Sequence, residues 1–260
     1  MLSRITYYLS SIPTILGQIK NWYALPKLLG QKPIIVHLHN GLQFTVRNLM
    51  DVWVLKETCL DRDYEVNGVQ IEDGWHVIDI GAGLGDFSIL TAYEHPNSQV
   101  YAFEPFPESF ELLQTNKRLN GSQNIHTFQI AVSSKSKHMQ LLTTGEAVQH
   151  TTTDSTVSGT ASSMIEVEGL SLADVLKVNE IAHCHFLKLD CEGSEFDILL
   201  NATAETLQKF EHICLEYHDG FTEFSHGDLV AHLQKQGFTV STTPNPVHNY
   251  LGFLYARRQP

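Results

Sequence analysis

The stretch Val77-Ile78-Asp79-Ile80-Gly81-Ala82-Gly83-Leu84-Gly85-Asp86-Phe87-Ser88 decides the fold. Val77, Ile78 and Ile80 are the apolar, β-branched residues of a buried strand. Gly81, Gly83 and Gly85 form a turn that lets a ligand lie on the backbone. An apolar run from Phe87 then continues at helical spacing, with Asp86 in the first turn, where a carboxylate suits the helix dipole. Strand, glycine turn and helix together read as the nucleotide-type cofactor site of an α/β protein. The spacing is G-x-G-x-G. The dinucleotide fingerprint G-x-G-x-x-G requires its third glycine where Asp86 stands, so a pyrophosphate against this helix is not the expected ligand.

A second run, Val100-Tyr101-Ala102-Phe103-Glu104, is strand-like and ends in an acid one βαβ unit after the turn. A carboxylate about 20 residues past the glycines, at the tip of the neighbouring strand, suits the ribose hydroxyls of an adenosine cofactor. Pro105 and Pro107 end that strand and a helix follows over 108–119.

Outward from this centre, 34–46 reads as a hairpin about Asn40-Gly41 and 51–60 as a helix. A third strand is expected over 125–132, with Ala131 and Val132 at its end against the adenine. Further strands are expected at 165–167, 184–189, 212–216, 239–242 and 250–255, and helices at 172–178, 194–200, 204–209 and 227–236. Residues 143–163, rich in Ser, Thr and Gly, read as a mobile loop on the acceptor side. Strands alternating with helices imply a doubly wound, mostly parallel sheet, with ligands at the carboxyl ends of its strands. The expected organisation is a helical segment and hairpin over 1–70 packed on a core domain over 71–260.

Composition narrows the function. The chain has 260 residues, a net charge of −12, 42% apolar and 18% charged residues, as in a globular enzyme. That charge, with no basic stripe, argues against nucleic acid as a partner. Cys59, Cys184, Cys191 and Cys214 lack C-x-x-C spacing and read as reduced core residues of a cytoplasmic protein. Pro13 interrupts the longest uncharged run of the N-terminus, against a membrane span of about 20 apolar residues. The oligomeric state is not legible.

The chemistry is expected at Phe186-Leu187-Lys188-Leu189-Asp190-Cys191-Glu192-Gly193-Ser194-Glu195, a buried strand breaking into an acidic turn and a helix. Ser194 and Asp197 suggest a capping box. Asp190 and Glu192 are two apart, which in extended chain points both to one side. The run Leu215-Glu216-Tyr217-His218 repeats the pattern with Glu216 and His218. Were the two strands neighbours, all four groups would converge.

These motifs resemble the FkbM family of methyltransferases, within the class I S-adenosylmethionine-dependent fold. The resemblance runs from about Val36 to the C-terminus. It rests on the Asn40-Gly41 hairpin, the 77–87 turn, Phe103-Glu104-Pro105, the pattern L-K-x-D-x-E-G-x-E at 187–195, and Leu215-Glu216. Leu84 departs from it, standing where the family often carries a small polar residue. The resemblance implies a seven-stranded sheet with one antiparallel strand, and methyl transfer to a hydroxyl of a sugar, glycan or natural product. Asp79, Gly81, Gly83, Gly85, Phe87, Glu104, Ala131 and Val132 are then expected to hold S-adenosylmethionine, and Asp190, Glu192, Glu216 and His218 to catalyse. A sugar hydroxyl needs a base or a cation to lower its pKa. His218 is the first choice of base in a metal-free site. The alternative is Mg²⁺ or Mn²⁺ on Asp190, Glu192 and Glu216. Two other functions are weighed: a nicotinamide-dependent oxidoreductase, which Asp86 disfavours, and a non-catalytic cofactor-binding protein.

Overall fold

The computed structural model describes residues 2–66, 68–143 and 163–259. The strands in chain order are β1 (Ile34–His37), β2 (Gln43–Val46), β3 (His76–Ile80), β4 (Gln99–Phe103), β5 (Ile125–Phe128), β6 (Ala131–Ser133), β7 (Lys137–Thr143), β8 (Ser163–Ser171), β9 (Cys184–Leu189), β10 (Phe210–His218), β11 (Phe238–Pro244) and β12 (Leu251–Arg258). Seven form one sheet in the order β11-β12-β10-β9-β3-β4-β5. Only β12 runs against its neighbours, pairing antiparallel with both β10 and β11, while the β10–β9, β9–β3, β3–β4 and β4–β5 pairs are parallel. This is the expected mostly parallel, seven-stranded α/β architecture.

Alternation along the central strands divides the core between the two sheet faces. Val77, Phe186 and Cys214 belong to one cluster, with Phe87 and Leu113. Ile78, Leu187, Ile213 and Leu215 belong to the other, with Phe196 and Leu229. The hairpin β1–β2, closed at Asn40 and Gly41, is a separate two-stranded unit whose Val36, Phe44 and Val46 join the first cluster. Asn116 ties it down, accepting the Thr45 N–H at 2.7 Å and donating to Leu84 O at 2.9 Å.

The chain before the hairpin is more regular than expected. Leu2–Gln18 is one α-helix that accommodates Pro13, followed by a 3₁₀ segment at Trp22–Gly30. The helix expected over 51–60 is divided, Leu49–Leu55 being α-helical and Lys56–Asp61 π-helical.

The strand expected over 125–132 is two strands. β5 ends at Phe128, and Ala131 and Val132 belong to β6, which pairs with β8 in a three-stranded sheet ordered β6-β8-β7. No glycine or proline separates the two halves, so the sequence carries no mark of the change of sheet. The Ser/Thr-rich stretch at 143–163 falls, for residues 144–162, outside the described residues. Cys59, Cys184 and Cys214 are buried free thiols and Cys191 is half-buried. Among the described residues no helix is long and apolar enough to cross a membrane.

Candidate active site

A cavity opens at the carboxyl ends of β3, β4 and β9, lined by Gly81, Gly83, Glu104, Ala131, Asp190 and Glu192 among others. Parallel strands direct their C-terminal loops to this edge, where a glycine turn leaves room for a ligand. Gly81 has φ +76°, and a Cβ there would sit 1.8 Å from the Asp190 carbonyl oxygen. Gly83 has φ +53°, yet a Cβ would meet nothing within 4 Å. The first glycine is required by protein packing, whereas the second faces open space that a ligand can fill. Gly85 lies elsewhere: its missing Cβ makes room for Leu113, 2.5 Å away, and it is not part of the cavity wall.

Glu104 ends β4 at 5% exposure. Its Oε2 accepts the Gly83 N–H at 2.8 Å and its Oε1 the Phe106 N–H at 3.0 Å. Burial pushes the carboxyl up to about 7, against the opposing pull of those two backbone donors. Each oxygen keeps a second lone-pair direction, so the group fits a ribose diol. Ile130, Ala131 and Val132 supply an apolar wall beside it. Asp86, the first residue of the helix Asp86–Glu94, also lines the cavity, and burial pushes its carboxyl up to about 6. A second carboxylate there opposes a pyrophosphate at the helix N-terminus. With an open glycine turn, a diol acceptor and an apolar wall, the residues present fit an adenosyl cofactor.

Two expected cofactor residues lie behind the wall. Asp79 is fully buried, with its Oδ1 3.0 Å from Lys188 Nζ and its Oδ2 accepting the Ser88 hydroxyl at 2.7 Å. Phe87 packs edge-on against Tyr64 and stacks on Phe186. Lys188, given no role from sequence, joins them: Asp79 and Lys188 are register partners on β3 and β9, and Nζ also donates to Gly81 O at 2.9 Å. Burial alone would lower the Lys188 pKa, but Asp79, Asp190 and Asp86 hold it above the ordinary lysine range. The ammonium thus clamps the strand to the turn that follows it. A lysine inside a strand otherwise made of apolar residues was the available signal.

Beyond the turn, Asp190, Glu216 and His218 each present a ligand-type atom, all within 4.8 Å of one another. Alternation explains their shared face: residues 186, 188 and 190 continue β9, and 214, 216 and 218 continue β10, whose last parallel pair is Leu215 with Leu189. Glu192 is not in this group. Its backbone has left the extended form, with φ +47°, so the i, i+2 argument for Asp190 and Glu192 fails, although both line the cavity.

Tyr64 donates its hydroxyl to Asp190 Oδ2 at 2.6 Å. Glu195, fully buried, has its Oε1 2.9 Å from the His218 backbone N and 3.1 Å from its Nδ1, and its Oε2 accepts the Gly193 N–H at 2.8 Å. Gly193, not Ser194, is the N-cap of the helix Ser194–Leu200, and Asp197 accepts the Ser134 N–H. The glycine's φ of +99° turns the chain so sharply that Glu195 faces inward. Burial, the largest single influence, lowers the His218 pKa, but the Glu195 hydrogen bond and the charges of Glu195, Asp190 and Glu216 together raise it to about 9. Glu216 is held well above the carboxylate range by burial and by Asp190. The carboxylates around His218 thus favour the protonated ring when no cation lies among them.

Comparison with known proteins gives a consistent result. The family described as Methyltransferase FkbM domain matches residues 79–240. A 31-O-demethyl-FK506 methyltransferase, FkbM of Streptomyces tacrolimicus, is 28% identical over 75% of this chain and 84% of its own. The hexuronic acid methyltransferase AglP of Haloferax volcanii is 22% identical over 78% and 82% respectively. The crystal structure of a methyltransferase FkbM from Methylobacillus flagellatus superposes with a TM-score of 0.52 at 14% identity, over 72% of this chain and 44% of that longer one.

Proposed function

The chain belongs to the FkbM methyltransferase family, and on that footing we propose that it is an O-methyltransferase. The acceptor is a hydroxyl of a sugar, glycan or natural-product small molecule. The observation that carries this reading is the cavity itself, continuous from the glycine turn and Glu104 to Asp190 and Glu192. One relative, named for a 31-O-demethyl substrate, supports transfer to oxygen, and one named for a hexuronic acid supports a carbohydrate acceptor.

When bound, S-adenosylmethionine supplies a methyl group already activated on a sulfonium. Glu104 takes the ribose hydroxyls, the 130–132 wall packs on the adenine, and Gly83 lets the remainder lie on the backbone. The remaining work is alignment and proton removal. The acceptor oxygen forms its bond to the methyl carbon as the carbon–sulfur bond breaks and its electron pair returns to sulfur. The hydroxyl proton passes to Asp190 or Glu192, the carboxylates on the cavity wall. Asp86 at the helix start disfavours a dinucleotide oxidoreductase, and the convergence of Asp190, Glu216 and His218 disfavours a purely cofactor-binding protein.

The test is transfer of label from methyl-tritiated S-adenosylmethionine to a panel of monosaccharides, uronic acids and polyhydroxylated macrolides. Label in a product stable to mild alkali, as an ether is and a methyl ester is not, is the expected result. Alkali-labile label throughout, or no transfer to any acceptor, would overturn the assignment.

A further inference from the structure

We propose that Asp190, Glu216 and His218 form a divalent-cation site at the acceptor end of the cavity. Two carboxylates and an imidazole from two adjacent strand ends place their ligand atoms within 4.8 Å of one another. Atoms bound to one ion at roughly 2.0–2.2 Å lie at most about 4.4 Å apart, so side-chain shifts of up to about an ångström close the trio onto one ion. The set is a mixed oxygen and nitrogen one, suited to Mn²⁺ and, more weakly, Mg²⁺. Three protein ligands leave positions open, and Asp190, which lines the cavity, joins the site to it.

The surroundings of the trio, rather than its acidity, make it a built site. His218 is 8% exposed and its ring is held from behind: Glu195, outside the trio and fully buried, engages Nδ1 at 3.1 Å. The same carboxylate is itself fixed by the Gly193 and His218 backbone N–H groups. A buried carboxylate on one imidazole nitrogen sets the ring orientation and leaves Nε2 for a metal, an arrangement that recurs behind metal-bound histidines. Asp190 is oriented in the same way by the Tyr64 hydroxyl at 2.6 Å. Among the described residues the neighbouring Lys188 ammonium makes its direct contacts with Asp79 and the Gly81 carbonyl, not with the trio. This set differs from the alternative of Asp190, Glu192 and Glu216 weighed from sequence, with His218 a ligand in place of Glu192.

The role of the cation rests on the methyl-transfer reading: it anchors the acceptor hydroxyl beside the methyl donor and lowers its pKa. The binding does not rest on that reading, so the two can be tested apart. The full chain, stripped with chelator, is titrated with Mn²⁺ and followed by electron paramagnetic resonance. One Mn²⁺ per chain is expected, carrying the modulation of a directly bound ¹⁴N. Glu216→Gln and His218→Asn should weaken binding roughly tenfold or more, and His218→Asn should also abolish the nitrogen signal. Glu195→Gln should also weaken binding, by roughly tenfold. Thermal melting and S-adenosylmethionine calorimetry on the same variants establish that they fold. Weak, multiple binding that these substitutions leave unchanged would overturn the site. Full methyl transfer in excess EDTA would overturn its role while leaving the methyltransferase reading intact. Stoichiometric, variant-sensitive Mn²⁺ without transfer to any hydroxyl would uphold the site and remove the acceptor reading.

Discussion

Replacing Glu104 by Gln tests the cofactor site most directly. The carboxylate is buried, accepts one backbone N–H on each oxygen, and has a pKa raised to about 7. Glutamine has the same shape but one acceptor oxygen, so its amide NH₂ must face the N–H of either Gly83 or Phe106. One orphaned donor costs about 1–3 kcal/mol of stability. At the ligand, the loss is a charge-assisted hydrogen bond to ribose, about 1.5–3 kcal/mol, or roughly a 10- to 150-fold rise in the S-adenosylmethionine dissociation constant. The pH dependence gives an independent check. A carboxyl raised to about 7 in the free protein holds a proton at pH 6, and a cationic cofactor favours its ionised form. Affinity should therefore fall as pH drops below 7, by up to about tenfold per unit. The variant has nothing to titrate, so its affinity should be flatter. Calorimetry at pH 6, 7 and 8 on both proteins measures both effects. An unchanged dissociation constant in a folded Glu104→Gln protein would refute the ribose assignment, and an identical pH profile would refute the electrostatic argument.

The two glycines should respond differently. Gly81→Ala collides with the Asp190 carbonyl and should lower the melting temperature sharply, whereas Gly83→Ala should cost only the ~1–2 kcal/mol of a left-handed alanine while still weakening cofactor binding in calorimetry. Lys188→Met leaves Asp79 buried and unpaired, and should cost about 3–5 kcal/mol in urea unfolding. At the opposite end of the sheet, His185 and His212 stack on Trp75 with centroids 5.5 Å away in each case. Their pKa values lie below 6.5, chiefly through burial. The unfolded chain takes up these protons first, so their contribution is complete above pH 6.5 and is lost as pH falls through the lowered values. Melting temperature should drop on acidification over that range, and less so in His212→Gln.

The sequence by itself determined the α/β class, the glycine turn, the acid that ends β4 and the acidic segment after β9. Each is a local signal: apolar runs, glycine spacing and helix starts depend on residues within one element. Hairpin and strand positions were legible for the same reason. What only the tertiary structure decided depends on partners distant in sequence. The register of β3 against β9 pairs Asp79 with Lys188 and moves both behind the cavity wall. The change of sheet between Phe128 and Ala131 is invisible because no glycine or proline interrupts the run there. The positive φ values of Glu192 and Gly193 end the extended geometry on which the i, i+2 argument relied, removing Glu192 from the trio and turning Glu195 inward to hold His218. The pKa of His218 then follows from charges that converge only when β10 lies beside β9.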